Sequence, residues 1–315
     1  MNYLLKNFLG SFITIAVMVI VMSVLTNFIP GDPARMALGK HVNKSSYQLM
    51  RQEMGLDKPV IKKVVDYAGS LLQGDWGRSY VSRKQVKDII AEALPVTAKL
   101  FLVSLVFALL IGLAVGTLSA YHENAFIDRL LTALSVVGFS LPHFWLALLL
   151  QTLLGVTLGL LPISGAGEGQ FYFYVLPGLA VGIPLGLTYG RFIRYFLLDI
   201  LSKPFIKAVE GWGLPEFRVF WQHAAPNIVY LLLIQVVTDA AYFFTGAVIT
   251  ETIFSLPGLG NLLVDAVLHR DWPVINGITL ITASIITGLN LFVKLIGPVL
   301  DPRSAEDLYE GGFGA

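Results

Sequence analysis

No cysteine occurs in the 315 residues, which excludes disulfides, thiolate metal sites and iron–sulfur clusters. Charge is scarce as well. Asp, Glu, Lys and Arg make up 14% of the chain and the formal net charge is +1, so nothing in the bulk composition attracts nucleic acid. Signatures of chemistry are missing too: there is no G-x-x-x-x-G-K-[ST] phosphate loop, no H-E-x-x-H and no G-x-S-x-G. The chain is therefore expected to carry neither nucleotide hydrolysis nor an evident hydrolase site. The five histidines, His41, His122, His143, His223 and His269, show no paired ligand spacing, and no metal site is expected.

What abounds is apolar surface. The chain is 55% hydrophobic with a mean hydropathy of +0.71, more than a soluble domain of this size can bury, so it reads as an all-α integral membrane protein. Residues Phe8 to Ile29, about 22 in number, suffice to span about 30 Å of hydrocarbon, and no small-residue cleavage site follows. Five further spans are expected at about 96–120, 131–161, 173–196, 226–251 and 274–299, making six. The domain boundaries follow: a first helix over 1–30, a mixed and charged insertion over 31–95, a five-helix core over 96–300, and a tail over 301–315. Within the insertion, short helices are expected at Arg51–Met54 and Val64–Leu72, with Gly-Asp and Gly-Arg pairs at turns. GAGEG at 165–169 reads as a turn in a short loop.

Orientation follows from charge placement. Six spans put Lys6, Arg129, Arg191, Arg194, Lys203, Lys207, Arg218 and Arg303 on one side and only Arg270 on the other, outside the long insertion. Both termini are then cytoplasmic and the insertion faces outward; its eleven Lys and Arg do not oppose this, because long loops are translocated regardless of charge.

Between the fourth and fifth spans, a loop over 197–225 holds a polar island, KPFIKAVEGWGLPEFRVFWQHAAPN at 203–227. Apolar residues at Phe205, Ile206, Val209, Trp212 and Leu214 fall at intervals of three and four, placing them on one side of a short helix. Gly211 and Gly213 weaken that helix and Pro215 ends it. Two readings stand side by side: an amphipathic loop on the lipid surface, or a docking surface for a soluble partner.

Several spans carry residues that a passive anchor does not need. Pro142 lies beside His143 in the third span, and Pro177, Pro184 and Gly190 interrupt the fourth; such breaks fit either kinked packing or a wet cavity. Gln235, Thr238, Asp239 and Tyr242 fall on one face of the fifth span. A carboxylate near mid-membrane is costly, so Asp239 is expected to face the bundle interior, a partner chain or water.

Taken in order, GDPA at 31–34, GLDKP at 55–59, GDWGRSY at 74–80, ALPVTAKL at 93–100, GFSLPHFWLALLL at 138–150, LGLLPISGAG at 158–167, ETIFSLPGLG at 251–260, HRDWPVI at 269–275 and LDPR at 300–303 resemble one family. It is the first of the two permeases of bacterial ABC importers for dipeptides, oligopeptides and nickel. The resemblance implies a type I importer permease fold in the bacterial cell membrane. It also implies a second homologous permease, two ATPase subunits that bind the ATP and magnesium, an extracytoplasmic substrate-binding protein, and no cofactor held by this chain.

A coupling helix for the ATPase then falls on Phe205, Ile206, Val209, Glu210, Gly211, Trp212, Gly213 and Leu214. The family's basic, alanine-rich run before the glycine is replaced here by Val209-Glu210-Gly211-Trp212. His143, Gln235, Thr238, Asp239 and Tyr242 are the expected lining of the translocation path. Peptide is the first expectation for cargo, with nickel or a metal chelate as the alternative. A stand-alone channel or secondary transporter is disfavoured by the coupling loop and by the lack of visible inverted halves. An intramembrane enzyme is disfavoured because Asp239 has no evident mid-membrane partner.

Overall fold

Size alternation along the long helices decides how they meet. In the computed structural model, which describes residues 2–28, 34 and 43–300, helix α4 (Val86–Tyr121) turns Leu102, Val106, Leu110 and Leu113 outward. Its opposite face carries Ser104, Ala108, Gly112 and Gly116 at four-residue spacing, all enclosed. Large apolar side chains outside and small ones inside are the reverse of a water-soluble bundle and suit a lipid surround.

The other helices are α1 (Asn2–Phe28), α2 (Lys44–Glu53), α3 (Val60–Leu72), α5 (Phe126–Ser140), α6 (His143–Leu150) and α7 (Tyr172–Leu201). They continue with α8 (Pro204–Gly211), α9 (Pro226–Ile253), α10 (Leu259–Leu268) and α11 (Trp272–Leu300). Among the described residues the one extended pairing is an isolated bridge between Arg78 and Gln85. Four helical stretches there are long and apolar enough to cross a membrane: Val86–Tyr121, Tyr172–Leu201, Glu216–Ala241 and Trp272–Leu295. Phe126–Ser140 and His143–Thr157 make a fifth if counted as one bent span. The apolar stretch Asn7–Met22 of α1 is shorter than that threshold. GDPA, LDPR, Arg303 and the tail 301–315 lie wholly or mostly outside the described residues, as does the Lys6 side chain.

The third expected span is not one kinked helix. Its two halves meet at 101°, because Leu141 is extended before Pro142 and the proline cannot continue α5. α6 then widens into a π-helix at Gln151–Thr157, where Gln151 Nε2 donates to the Ile163 carbonyl at 2.7 Å. The fourth span departs in the opposite sense. Pro177 and Pro184 do not interrupt α7, which runs unbroken from Tyr172 to Leu201. A continuous glycine face holds it against α4 despite the missing backbone donors: Cβ atoms at Gly182 and Gly186 would lie 2.9 Å from the Ser104 and Ala108 carbonyl oxygens.

The described chain falls into two compact units. One comprises the described residues within 1–97, 244–248 and 257–291. In it α2 and α3 are longer than expected, beginning at Lys44 and Val60, and α3 packs on α1. Gly74 and Gly77 take φ of +75° and +83°, as the turn reading requires.

Asp271 organises this unit. It is buried, accepts from the Ser79 hydroxyl and from the Tyr80 N–H at 3.0 Å, and so ties GDWGRSY to HRDW. Burial, with Asp271 beside it, pushes the Tyr80 phenol up to about 12. Val86, Ile90, Leu259, Trp272, Val274 and Ile278 form the apolar core next to this junction. Asp271→Asn weakens charge-assisted bonds worth about 1.5–3 kcal/mol each. Amide exchange at Tyr80 and Val81 is therefore expected to rise about tenfold or more by mass spectrometry; unchanged protection would show that Asp271 does not hold the loop.

The second unit comprises the described residues within 98–243, 249–256 and 292–315. It contains the α4–α7 pair, α5, α6 and α8. The 165–169 segment is a turn, as expected, with Gly165, Gly167 and Gly169 all at positive φ. It is fastened by the Gly165 N–H donating to the Phe254 carbonyl at 2.8 Å.

Candidate functional site: the α8 surface and the Asp239 group

α8 starts at Pro204, where the missing N–H costs no helical bond, and ends at Gly211. Trp212 caps it, and Gly213, at φ +76°, turns the chain out while its N–H donates to the Glu210 carbonyl at 2.9 Å. Pro215 follows in extended backbone. After one turn at Glu216–Arg218 the chain widens into a second π-helix, Val219–Ala224. The wide turn gives room to Pro226, whose ring would press on the carbonyl four residues back in a regular helix.

The apolar residues of α8 do not share one side. Ile206 is 0% exposed and Val209 7%, packed with Ile193, Leu197, Ile200, Val219, Phe220 and Ala224. Leu214 is half-buried against the same cluster. Phe205 is 47% exposed and Trp212 75%, with Lys207, Glu210, Gly211 and Gly213 exposed as well. Positions 206 and 209 are one turn apart, whereas 205 and 212, two turns apart, form a neighbouring stripe displaced by about 80° around the helix. An apolar spacing of three and four was thus two interleaved stripes, one anchoring the helix and one presenting Phe205 and Trp212. Phe217 and Trp221, with ring centroids 6.2 Å apart, are also exposed in the segment that follows.

The expected path residues are only partly brought together. Gln235 Nε2 donates to both Asp239 carboxylate oxygens at 3.1 Å, one turn apart on α9. The buried Tyr189 side chain of α7 lies beside Asp239. A carboxylate offers about four acceptor sites, so the Gln235 amide leaves Asp239 capacity for another donor. Thr238 instead donates back to the Ile234 carbonyl at 2.9 Å. His143 is exposed at the start of α6, and its side chain makes no hydrogen bond or ion pair among the described residues. The Tyr242 side chain lies outside the described ones.

A second ionic group escaped the sequence reading, in which Arg194 counted only as a positive charge. Arg194 donates through Nε at 2.6 Å and Nη2 at 2.8 Å to the two oxygens of Asp128, at the start of α5. Asp128 also accepts from the Ser119 hydroxyl and the Asn124 N–H. No local pattern signals the pair, since the two residues lie 66 positions apart.

Residues 108–306 match the family described as the binding-protein-dependent transport system inner membrane component, and residues 1–101 match its N-terminal region. The chain belongs to this family. It is similar to the glutathione transport system permease protein GsiC of Salmonella typhimurium strain LT2, 34% identical over 302 residues covering 96% of this chain and 98% of that one. The protein of the same name from Escherichia coli K12 is 33% identical with the same coverage. The family resemblance drawn from the ordered motifs is borne out. As an inner membrane component of a binding-protein-dependent system, the protein is a multi-pass permease of an ABC importer, a transport component.

Proposed function

We propose that this permease imports peptides, forming the path with a second homologous permease and driven by two ATPase subunits that hold the nucleotide and its magnesium. The observation that carries this reading is the division of α8: Ile206 and Val209 seat it in the chain's own core, while Phe205 and Trp212 stand free. An anchored helix with an exposed aromatic edge suits a rigid coupling element that an ATPase groove can grip. Six spans, cytoplasmic termini and an outward insertion that receives the binding protein complete the arrangement; the likeness to glutathione permeases favours peptide over nickel or a metal chelate.

Asp239 serves in the path by favouring a cationic group such as a peptide amino terminus. Its remaining acceptor capacity beyond Gln235 supports this role. Uptake of a labelled dipeptide by cells relying on this system tests both points. Deleting the chain abolishes uptake, and Asp239→Asn lowers it about tenfold or more, as loss of a charge-assisted bond requires. Uptake of every peptide unchanged in rate and affinity in Asp239→Asn would remove the cargo role. Loss of nickel uptake, with peptide uptake intact in the deletion strain, would transfer the assignment to the metal.

A further inference from the structure

We propose that Asp128 and Arg194 form a positioning latch that makes α5 travel with α7, the helix continuous with the α8 seat. This rests on the reading of α8 as the coupling helix. Asp128 is 3% exposed and gathers donors from three helices and a turn: Ser119 of α4, Asn124 of the α4–α5 turn, Thr132 of α5 at 3.4 Å, and both Arg194 nitrogens of α7. Asn124, at φ +62°, turns its N–H onto the carboxylate.

Arg194 lies one residue after Ile193 and three before Leu197, both members of the core that seats Ile206 and Val209. Ala120, next to Ser119, belongs to that core as well, and Tyr121 meets Phe220 edge-on at 5.8 Å. The ionic group and the α8 seat therefore share the end of α4 and the last turns of α7.

Toward the other end of α5, Leu187 packs over Gly138, so apolar contact also holds α5 to α7. A planar guanidinium fork bonded to both carboxylate oxygens fixes separation and register together. Stability does not require this arrangement, since a well-packed apolar pair holds helices as firmly as a buried ion pair. What the pair adds is one defined register, so displacement of α8 reaches α5 and the bent α5–α6 pair without slippage.

The absence of cysteine makes a direct test available, because introduced thiols are the chain's only ones. Spin labels at Arg129→Cys on α5 and Lys207→Cys on α8, both exposed sites, report their separation in the assembled importer, with and without ATP plus vanadate. With the latch intact, the separation changes by less than about 2 Å between the two states, the scale of small helix adjustments. In Asp128→Asn/Arg194→Gln, nucleotide shifts the separation beyond that or splits it into two populations, while ATP hydrolysis continues. Each single substitution leaves a charge unpaired and lowers the yield of assembled protein, which the double substitution restores.

A double variant that keeps one separation in both states, with its ATPase bound and hydrolysing, overturns the latch and leaves the coupling reading standing. A wild-type chain that carries no ATPase overturns both.

Discussion

Trp212→Asp abolishes import while the chain still reaches the membrane in normal amount. The separation of these two effects follows from where Trp212 sits: 75% exposed at the end of α8, outside the core that Ile206 and Val209 share with α7. Removing it leaves the seat intact. A partner groove that encloses an exposed tryptophan loses a contact of the kind worth about 2 kcal/mol or more, roughly a thirtyfold fall in affinity, and a buried carboxylate in its place adds a desolvation cost. Ile206→Asp gives the opposite pattern. It places a charge in a fully enclosed position and lowers the amount of folded chain itself. Membrane immunoblots beside uptake rates check both; equal loss of protein in the two variants would contradict the division of the helix.

Gly186→Leu is expected to abolish accumulation of folded protein. A Cβ there would lie 2.7 Å from Ile111 Cβ and 2.9 Å from the Ala108 carbonyl oxygen, so backbone as well as side chain would have to move. Overpacking by a few methylenes costs about 1–3 kcal/mol where side chains can yield, and a backbone contact cannot yield without separating α4 from α7. A close side chain together with a close carbonyl oxygen recurs at Gly112, Gly116 and Gly182, so no neighbouring register relieves it. Gly10, with nothing within 4 Å of its added Cβ, is the control: Gly10→Leu accumulates normally. Detergent-solubilised yield and melting temperature distinguish the two, and a normal yield for Gly186→Leu would mean that α4 and α7 do not approach through this face.

The glycine face is legible in the sequence as a four-residue recurrence, Gly178, Gly182, Gly186 and Gly190 against Ser104, Ala108, Gly112 and Gly116, although Pro177 and Pro184 on the same helix signal a break. Proline predicts a break only when nothing else holds the helix, and here the partner helix does. Pro142 behaved as expected of proline because the residue before it is extended and α5 ends there. At α8 the sequence shows the periodicity but not its direction. Adjacent apolar residues such as Phe205 and Ile206 belong to different faces of a helix, and only tertiary packing reveals which one is enclosed. Asp128 and Arg194 lie 66 positions apart, beyond any local pattern, and counting Arg194 for orientation concealed that its charge is engaged. The turns at 74–77 and 165–169 were readable because positive φ selects glycine.

The most direct measurement of the central claim is a gentle purification of the tagged chain from native membranes, with the co-purifying proteins identified by mass spectrometry. The account predicts a second permease and phosphate-loop ATPases in the complex, the ATPases lost on Trp212→Asp while the second permease remains. Recovery of the chain alone or as a homo-oligomer, without any ATPase, would contradict it.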